Sequence, residues 1–400
     1  MFPIVFAVVL VGGGIVEAAG PASAPASRPA FVPIEKVEAN APAALRVNGR
    51  PFFPLMGFYQ SPKSFQNAKA TGLNGYFYPG DKPAPKEYLD ALKAEGLYGM
   101  VPFDASAIGH PALLAWLLPH EPDAAYLKGK EDMSPAAMLA AYERIKKADP
   151  SRPVVLDFSP AFTSIPEESN LPAGRKKELY PAYAKAADLL TYNVYPIWGF
   201  NRPDCIDWPA RAADDLKALV GEDKPFLAMI ETGKGARGIP EANQAEVSPE
   251  EIRAEVWMAI CKGAKGIIYF THQFQPKFNE FGPDAAKQAA IRKINGQIAE
   301  LAPAILGPAA RERITVVGEG GLAVHYTART CPDSGQTCLF ILNGDTNRRA
   351  GRVTVTVEGG GEGLIPIVEG EGRILKFAGE SFTDEFAPLA LHVYRLKPRK

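Results

Sequence analysis

Between Pro51 and Pro303 short apolar runs alternate with stretches whose apolar residues recur at helical spacing. Eight runs stand out: Phe52–Phe58, Leu73–Tyr78, Leu97–Phe103, Leu114–Leu118, Pro153–Phe158, Leu189–Val194, Pro225–Ile230 and Gly266–Phe270. Each is nearly continuously apolar, as a strand is when both its faces are buried. The stretches between them carry helix signals. Ser134-Pro135 offers an N-cap with proline in the first turn, and Met138, Tyr142 and Ile145 then fall on one face. Ser248-Pro249-Glu250-Glu251 adds a capping box ahead of Ile252, Val256 and Ile260. Tyr88, Leu89 and Leu92 form another stripe, stopped by Gly96. Strand–helix alternation of this kind predicts βαβ units on a parallel sheet. Eight of them in one stretch predict an α/β fold, a (β/α)8 TIM barrel over residues 34–306. An open doubly wound sheet is the alternative, but it would carry a glycine-rich phosphate turn after its first strand, and Gly57-Phe58-Tyr59-Gln60 is not one.

Beyond Gly307 the period shortens. Thr315–Val317, Leu322–Tyr326, Leu339–Leu342, Val353–Val357 and Leu389–Tyr394 read as short strands. Turn clusters such as Asn343-Gly344-Asp345 and Gly359-Gly360-Gly361 separate them. Residues 307–400 are therefore expected to form a small C-terminal antiparallel β-sandwich. Within it Cys331 and Cys338 flank the turn sequence Pro332-Asp333-Ser334-Gly335 and are expected to pair as a disulfide. At the other end, residues 1–19 read as an export signal, with an apolar, glycine-rich stretch from Pro3 to Val16 and small residues around Ala18. An uncleaved anchor is the alternative. Residues 20–33 are rich in Pro, Ala and Ser and read as a linker. The expected location is secreted or periplasmic, with no stable membrane insertion of the mature chain.

Charge and composition narrow the chemistry. With 44 basic and 45 acidic residues the net charge is -1, which gives no electrostatic footprint for nucleic acid or an anionic membrane. There are only five histidines and no H-x-H pair, and the four cysteines lack zinc spacing, so no metal or other cofactor is expected. A Schiff-base aldolase would need a lysine at an inner strand position, whereas Lys234 lies beyond the seventh run and Lys265 before the eighth. The oligomeric state is not legible.

A barrel of this kind gathers its chemistry at the C-terminal strand ends. The fourth run leads into Pro119-His120-Glu121-Pro122-Asp123, and the seventh into Glu231-Thr232-Gly233. Runs four and seven lie across the mouth from one another, so Glu121 and Glu231 are expected to meet there. Two opposed carboxyls are what glycosidic hydrolysis needs: one protonates the departing oxygen and the other attacks the anomeric carbon or activates water.

The segment His110–Asp123 resembles the strand-4 signature of clan A glycoside hydrolases, in which proline follows the acid/base glutamate. Pro225–Glu231 resembles the strand that ends in that clan's nucleophile, Val47–Pro54 its first strand and Gly263–Phe270 its last. The resemblance implies a retaining double displacement on a carbohydrate, with Glu121 as acid/base and Glu231 as nucleophile, their carboxyls about 5–5.5 Å apart. It also implies that Tyr195 bonds the nucleophile. His120 stands where many members have the asparagine that holds the sugar's 2-hydroxyl. Asn193 and Trp198 near the sixth run, and Tyr59, Tyr78, Asp157 and His272 at the ends of the first, second, fifth and eighth, complete the candidate substrate-binding set. The rival reading is a barrel that binds glycans without cleaving them.

Overall fold

The computed structural model describes residues 31–40, 44–235, 239–359 and 363–398. The expected export signal over 1–19 and most of the linker over 20–33 lie outside the described residues. The described chain opens with β1 (Val37–Asn40), β2 (Ala44–Val47) and β3 (Arg50–Pro51), a small antiparallel sheet. Its tight turn is Asn48-Gly49, both at positive φ (50° and 77°), the two-residue geometry that Asn-Gly favours. Val47 to Pro51 thus belongs to this hairpin, and the first barrel strand, beginning at Leu55, starts eight residues later than the resemblance implied.

Eight parallel strands follow and close on themselves in chain order: β4 (Leu55–Phe58), β5 (Gly75–Phe77), β6 (Tyr98–Pro102), β7 (Leu113–Leu117), β8 (Val154–Phe158), β9 (Leu189–Asn193), β10 (Phe226–Glu231) and β11 (Ile267–Phe270). Each falls in or overlaps one of the eight apolar runs. The closing pair, β11 on β4, aligns Ile268 with Met56. The helices between them are α1 (Phe65–Thr71), α2 (Pro85–Ala94), α3 (Pro122–Leu127), α4 (Pro135–Ala148), α5 (Ala173–Ala184), α6 (Pro196–Phe200), α7 (Trp208–Val220) and α8 (Pro249–Cys261), with α9 (Ala285–Ile305) after the last strand. The capping signals act as the sequence implies. Ser134 Oγ accepts the Ala137 N–H at the start of α4, and Ser248 and Glu251 cap each other's backbone at the start of α8.

The barrel is filled rather than hollow. Met56, Met100, Ala115, Leu117, Val155, Leu227 and Ile268 pack into one inner cluster, and Ile34, Val37, Leu45 and Val47 of the N-terminal segment join it. Arg152, fully buried, ties that segment to the barrel. Its Nε donates to the Leu113 carbonyl at 2.8 Å and its Nη2 to the Ile34 carbonyl at 2.8 Å. The opposite, C-terminal end of the strands is left for chemistry.

The C-terminal part is the expected two-sheet sandwich, though with strands the pattern missed. One sheet holds β12 (Ile314–Gly318), β15 (Gly351–Val357) and β18 (Ser381–Phe386). The other holds β13 (Val324–Thr330), β14 (Thr337–Asn343), β16 (Leu364–Val368), β17 (Arg373–Ile374) and β19 (Leu391–Pro398). Val316, Ile341, Val355, Phe382 and Tyr394 are in the core between them. Cys331 and Cys338 do meet at the hairpin end, as expected, but as free thiols with sulfurs 3.5 Å apart. That is a hydrogen-bonded contact and not the expected bond, whose length would be about 2.05 Å. The sandwich docks on α8, where Trp257 stacks on Phe340 at 5.7 Å and Arg348 pairs with Glu251 at 2.6 Å. Among the described residues no helix is long and apolar enough to cross a membrane.

Candidate active site

At the C-terminal end of β7 the chain leaves the barrel through Pro119 and His120 and enters α3 at Glu121. Pro122 fixes the first turn, and Glu121 itself is the N-cap, in the left-handed region at φ 46°. A non-glycine residue there is uncommon, and such backbone is retained where surrounding structure holds it. The holder is Asp123, the second residue of the helix. Fully buried, it accepts the Ser159 N–H at 3.0 Å, the Ser159 hydroxyl at 2.6 Å and the Tyr180 hydroxyl at 3.0 Å. Burial pushes its carboxyl up to about 7. The proline and aspartate of the Glu121-Pro122-Asp123 motif thus aim Glu121.

Glu121 lines a cavity of about 330 Å3. Phe58, Met229, Phe270, Tyr195 and Trp198 supply its apolar wall, and His120, Asn193 and Glu168 its polar one. Asn193, the last residue of β9, donates its Nδ2 to Glu121 Oε1 at 2.9 Å. It therefore orients the carboxyl as well as facing the cavity. The His120 Nε2 lies 4.0 Å from the same oxygen. Its Nδ1 forms an ion pair with Asp157, which is buried at the end of β8. Burial opposes a charge on the imidazole, but the Asp157 carboxylate overcomes it and raises His120 to about 9. Burial in turn lifts Asp157 to about 6, against the pull of His120. Between those values the pair is ionic, and an imidazolium stands beside Glu121. Asp157 accordingly acts under His120 and is absent from the cavity wall. His120, Glu121 and Asp157 offer ligand atoms within 4.8 Å of one another, so they are the group that would hold a cation. Three donors, two of them already paired, are fewer than a closed zinc site requires.

Glu231 ends β10, as expected, beside Phe270 in the register. Its side chain is fully buried and is not part of the cavity wall. One oxygen accepts the Ile197 N–H at 2.8 Å and the other the Trp198 N–H at 2.5 Å. These are the unpaired donors of the first turn of α6, so the carboxyl caps the turn that carries Tyr195 and Trp198. Glu255 of α8 is buried against it. Burial raises Glu231, and burial plus the neighbouring acid raise Glu255 well above the carboxylate range. Glu121 thus faces the cavity while Glu231 is buried beneath the Tyr195–Trp198 turn, and both acids influence the Tyr195 hydroxyl. That hydroxyl donates to Met229 Sδ at 3.6 Å and not to Glu231, whose two oxygens accept the N–H groups of Ile197 and Trp198.

The remaining candidates divide. Trp198 faces the cavity. His272 donates its Nε2–H to the Tyr59 carbonyl at 2.9 Å, and burial keeps the imidazole neutral. Tyr59 is on the rim, 44% exposed. Tyr78 is a core residue, not a sugar contact, stacked on Tyr88 at 3.8 Å. Pattern reading missed two residues. Glu168, in the loop between β8 and α5, lines the cavity; burial and the like charge of Glu121 lift it to about 7, while the Tyr195 N–H opposes the rise. In sequence it sits in a run of charged and polar residues indistinguishable from a solvated loop. Phe274, on the loop after β11, also lines the cavity. An exposed-looking phenylalanine in a polar loop just past a barrel strand was a readable signal for it.

Comparison with known proteins agrees with this layout. The profile of the glycoside hydrolase 42 β-galactosidases matches residues 104–293, just under half of the chain. Among solved structures, a catalytic mutant of Gan42B, a GH42 β-galactosidase from G. stearothermophilus, superposes with a TM-score of 0.56 at 10% identity, over 90% of this chain and 100% of that one. A variant of AmyP in complex with maltotriose superposes at 0.53, also at 10% identity, over 86% and 93%. No curated protein matches the sequence. At such identity the superpositions speak to fold alone; the profile adds likeness in sequence over the barrel's middle and C-terminal strands, and in that likeness the chain is similar to the glycoside hydrolases of clan A.

Proposed function

We propose that this retaining glycoside hydrolase cleaves β-galactosides by double displacement, with Glu121 as acid/base and Glu231 as nucleophile. The observation that carries the reading is Glu121 itself: a carboxyl on the cavity wall, fixed through one oxygen by Asn193, with an imidazolium beside it. Protonated, it gives its proton to the departing oxygen. Once the proton has left, the Glu121 carboxylate accepts from the Asn193 amide and faces the His120 imidazolium. It then takes the proton from the water that releases the sugar. In this reading Glu231, at the end of β10 beneath the Tyr195–Trp198 turn, supplies the second carboxyl. The β-galactoside class rests on the profile match.

A second reading is favoured by one observation: Glu168 is on the cavity wall with Glu121, and Glu231 is not. In that reading Glu168 is the second carboxyl and Glu231 only caps α6. A 2-fluoro-2-deoxy-β-galactosyl fluoride decides between them, since it accumulates the glycosyl-enzyme. Peptide mapping is expected to find the label on Glu231. Label on Glu168 transfers the role to it. No label, with no turnover of galactosides or other glycosides, leaves a barrel that only binds glycans.

A further inference from the structure

Large exposed apolar side chains are mostly scattered over the described surface, but three aromatic ones gather at the mouth of the barrel. Tyr59, Phe274 and Phe278 are 44%, 47% and 52% exposed. They belong to one continuous series of rings. Trp198 in the cavity is 5.8 Å from Phe274, Phe274 is 5.5 Å from Phe278, Phe278 is 5.6 Å from His272, and His272 is 6.3 Å from Tyr59. The series thus starts inside the cavity that holds Glu121 and runs out along its rim. It ends at a second cavity of about 720 Å3, which Tyr59 lines together with Pro119, the neighbour of His120.

The end of the series is held in place against its own preference. Tyr59 has φ 46°, a left-handed backbone that costs an aromatic residue energy and persists only where the surroundings enforce it. The His272 N–H on its carbonyl and the Gly80 backbone beneath its ring do so, and a Cβ at Gly80 would stand 2.6 Å from that ring. Folding alone gives no reason to strain a backbone so that a ring faces water. Contiguous exposed aromatic surface continuous with a polar, acid-bearing cavity marks a binding site. The matching ligand is a chain of pyranose rings. One face of each ring presents C–H bonds, which pack on the electron-rich face of an arene, while its hydroxyls stay in water.

We propose that this aromatic rail binds saccharide units beyond the bond that is cut, so that the substrate is an oligosaccharide rather than a simple monosaccharide glycoside. The inference rests on the glycosidase reading above and deepens it.

The full-length enzyme and its Phe278→Ala variant decide the matter, because Phe278 is exposed and lies outside the cavity wall. Turnover is compared on β-galactosyl fluoride, which has no aglycone to reach the rail, and on β-galacto-oligosaccharides of increasing length. Wild-type kcat/KM is expected to rise with chain length. The variant is expected to lose at least tenfold on the longer chains and less than twofold on the fluoride. Wild-type efficiency indifferent to chain length, or equal losses on both substrates, overturns the proposal. If nothing is turned over, the glycosidase reading fails, and the rail is tested separately by tryptophan-fluorescence titration with galacto-, gluco- and xylo-oligosaccharides. Tighter binding by wild type than by the variant sustains it, and equal or absent binding overturns it.

Discussion

His120 shows how much one side chain's protonation depends on a neighbour it does not touch in sequence. The ordinary imidazole value is 6.5, and in this fold Asp157 raises it to about 9 despite burial. The proton is therefore held through neutral pH and lost only as the pH climbs through about 9. If the imidazolium supports the Glu121 carboxylate during turnover, kcat/KM falls on that alkaline side. His120→Asn keeps a hydrogen-bond donor but not the charge, and the limb near 9 should disappear from its pH profile. An unchanged profile would remove His120 from the acid–base chemistry. Asn193 illustrates a different point: its place in the candidate set rested on its position at the sixth run, but the useful fact is its bond to Glu121, which no spacing in the chain announces.

At the scale of elements, the joint between β10, α6 and α8 is unusual because two buried carboxyls, Glu231 and Glu255, share it. Their values are raised above the ordinary 4.5, so the folded protein holds protons that the unfolded chain releases. Stability from this pair is fully present below about 4.5 and is lost as pH rises towards the raised folded values. Replacing Glu255 with Gln removes one acid and gives Glu231 an amide donor. Urea unfolding is expected to show a gain for Glu255→Gln at pH 8 that is larger than at pH 5. A gain independent of pH would show that the two acids do not share a proton. The joint also explains why Glu231 was misplaced relative to the cavity. The sequence puts a glutamate at a strand end, but the five-residue helix α6 offers two backbone donors close by, and a buried carboxylate turns to them.

For the molecule as a whole, barrel and sandwich behave as one body if their contact is strong enough. Trp257, fully buried, carries that contact from α8 to Phe340 of β14. Trp257→Ala should cost about 3–5 kcal/mol. Because it lies at the contact, it should also split a single thermal transition into two. Calorimetry reads both effects, and one unsplit transition with a small shift would show that the sandwich is held elsewhere. The sandwich was legible as five short strands. Of the three that were missed, β16 contains Pro366, β17 is two residues long and β18 reads Ser381-Phe382-Thr383-Asp384-Glu385-Phe386, so their apolar pattern was weaker than that of the barrel strands.

The sequence by itself determined the barrel, because eight strands buried on both faces must be written as apolar runs, and helices packed on one side must show a stripe. It also determined which strand ends carry acids, since those residues directly follow the runs. Only the tertiary structure decided which groups share a space. It brought Glu168 and Phe274 to the cavity from loops, charged His120 through Asp157, turned Glu231 to the backbone of α6 and sank Tyr78 into the core. Burial and hydrogen-bond partners are set by neighbours distant in the chain, and the order of residues does not encode them locally.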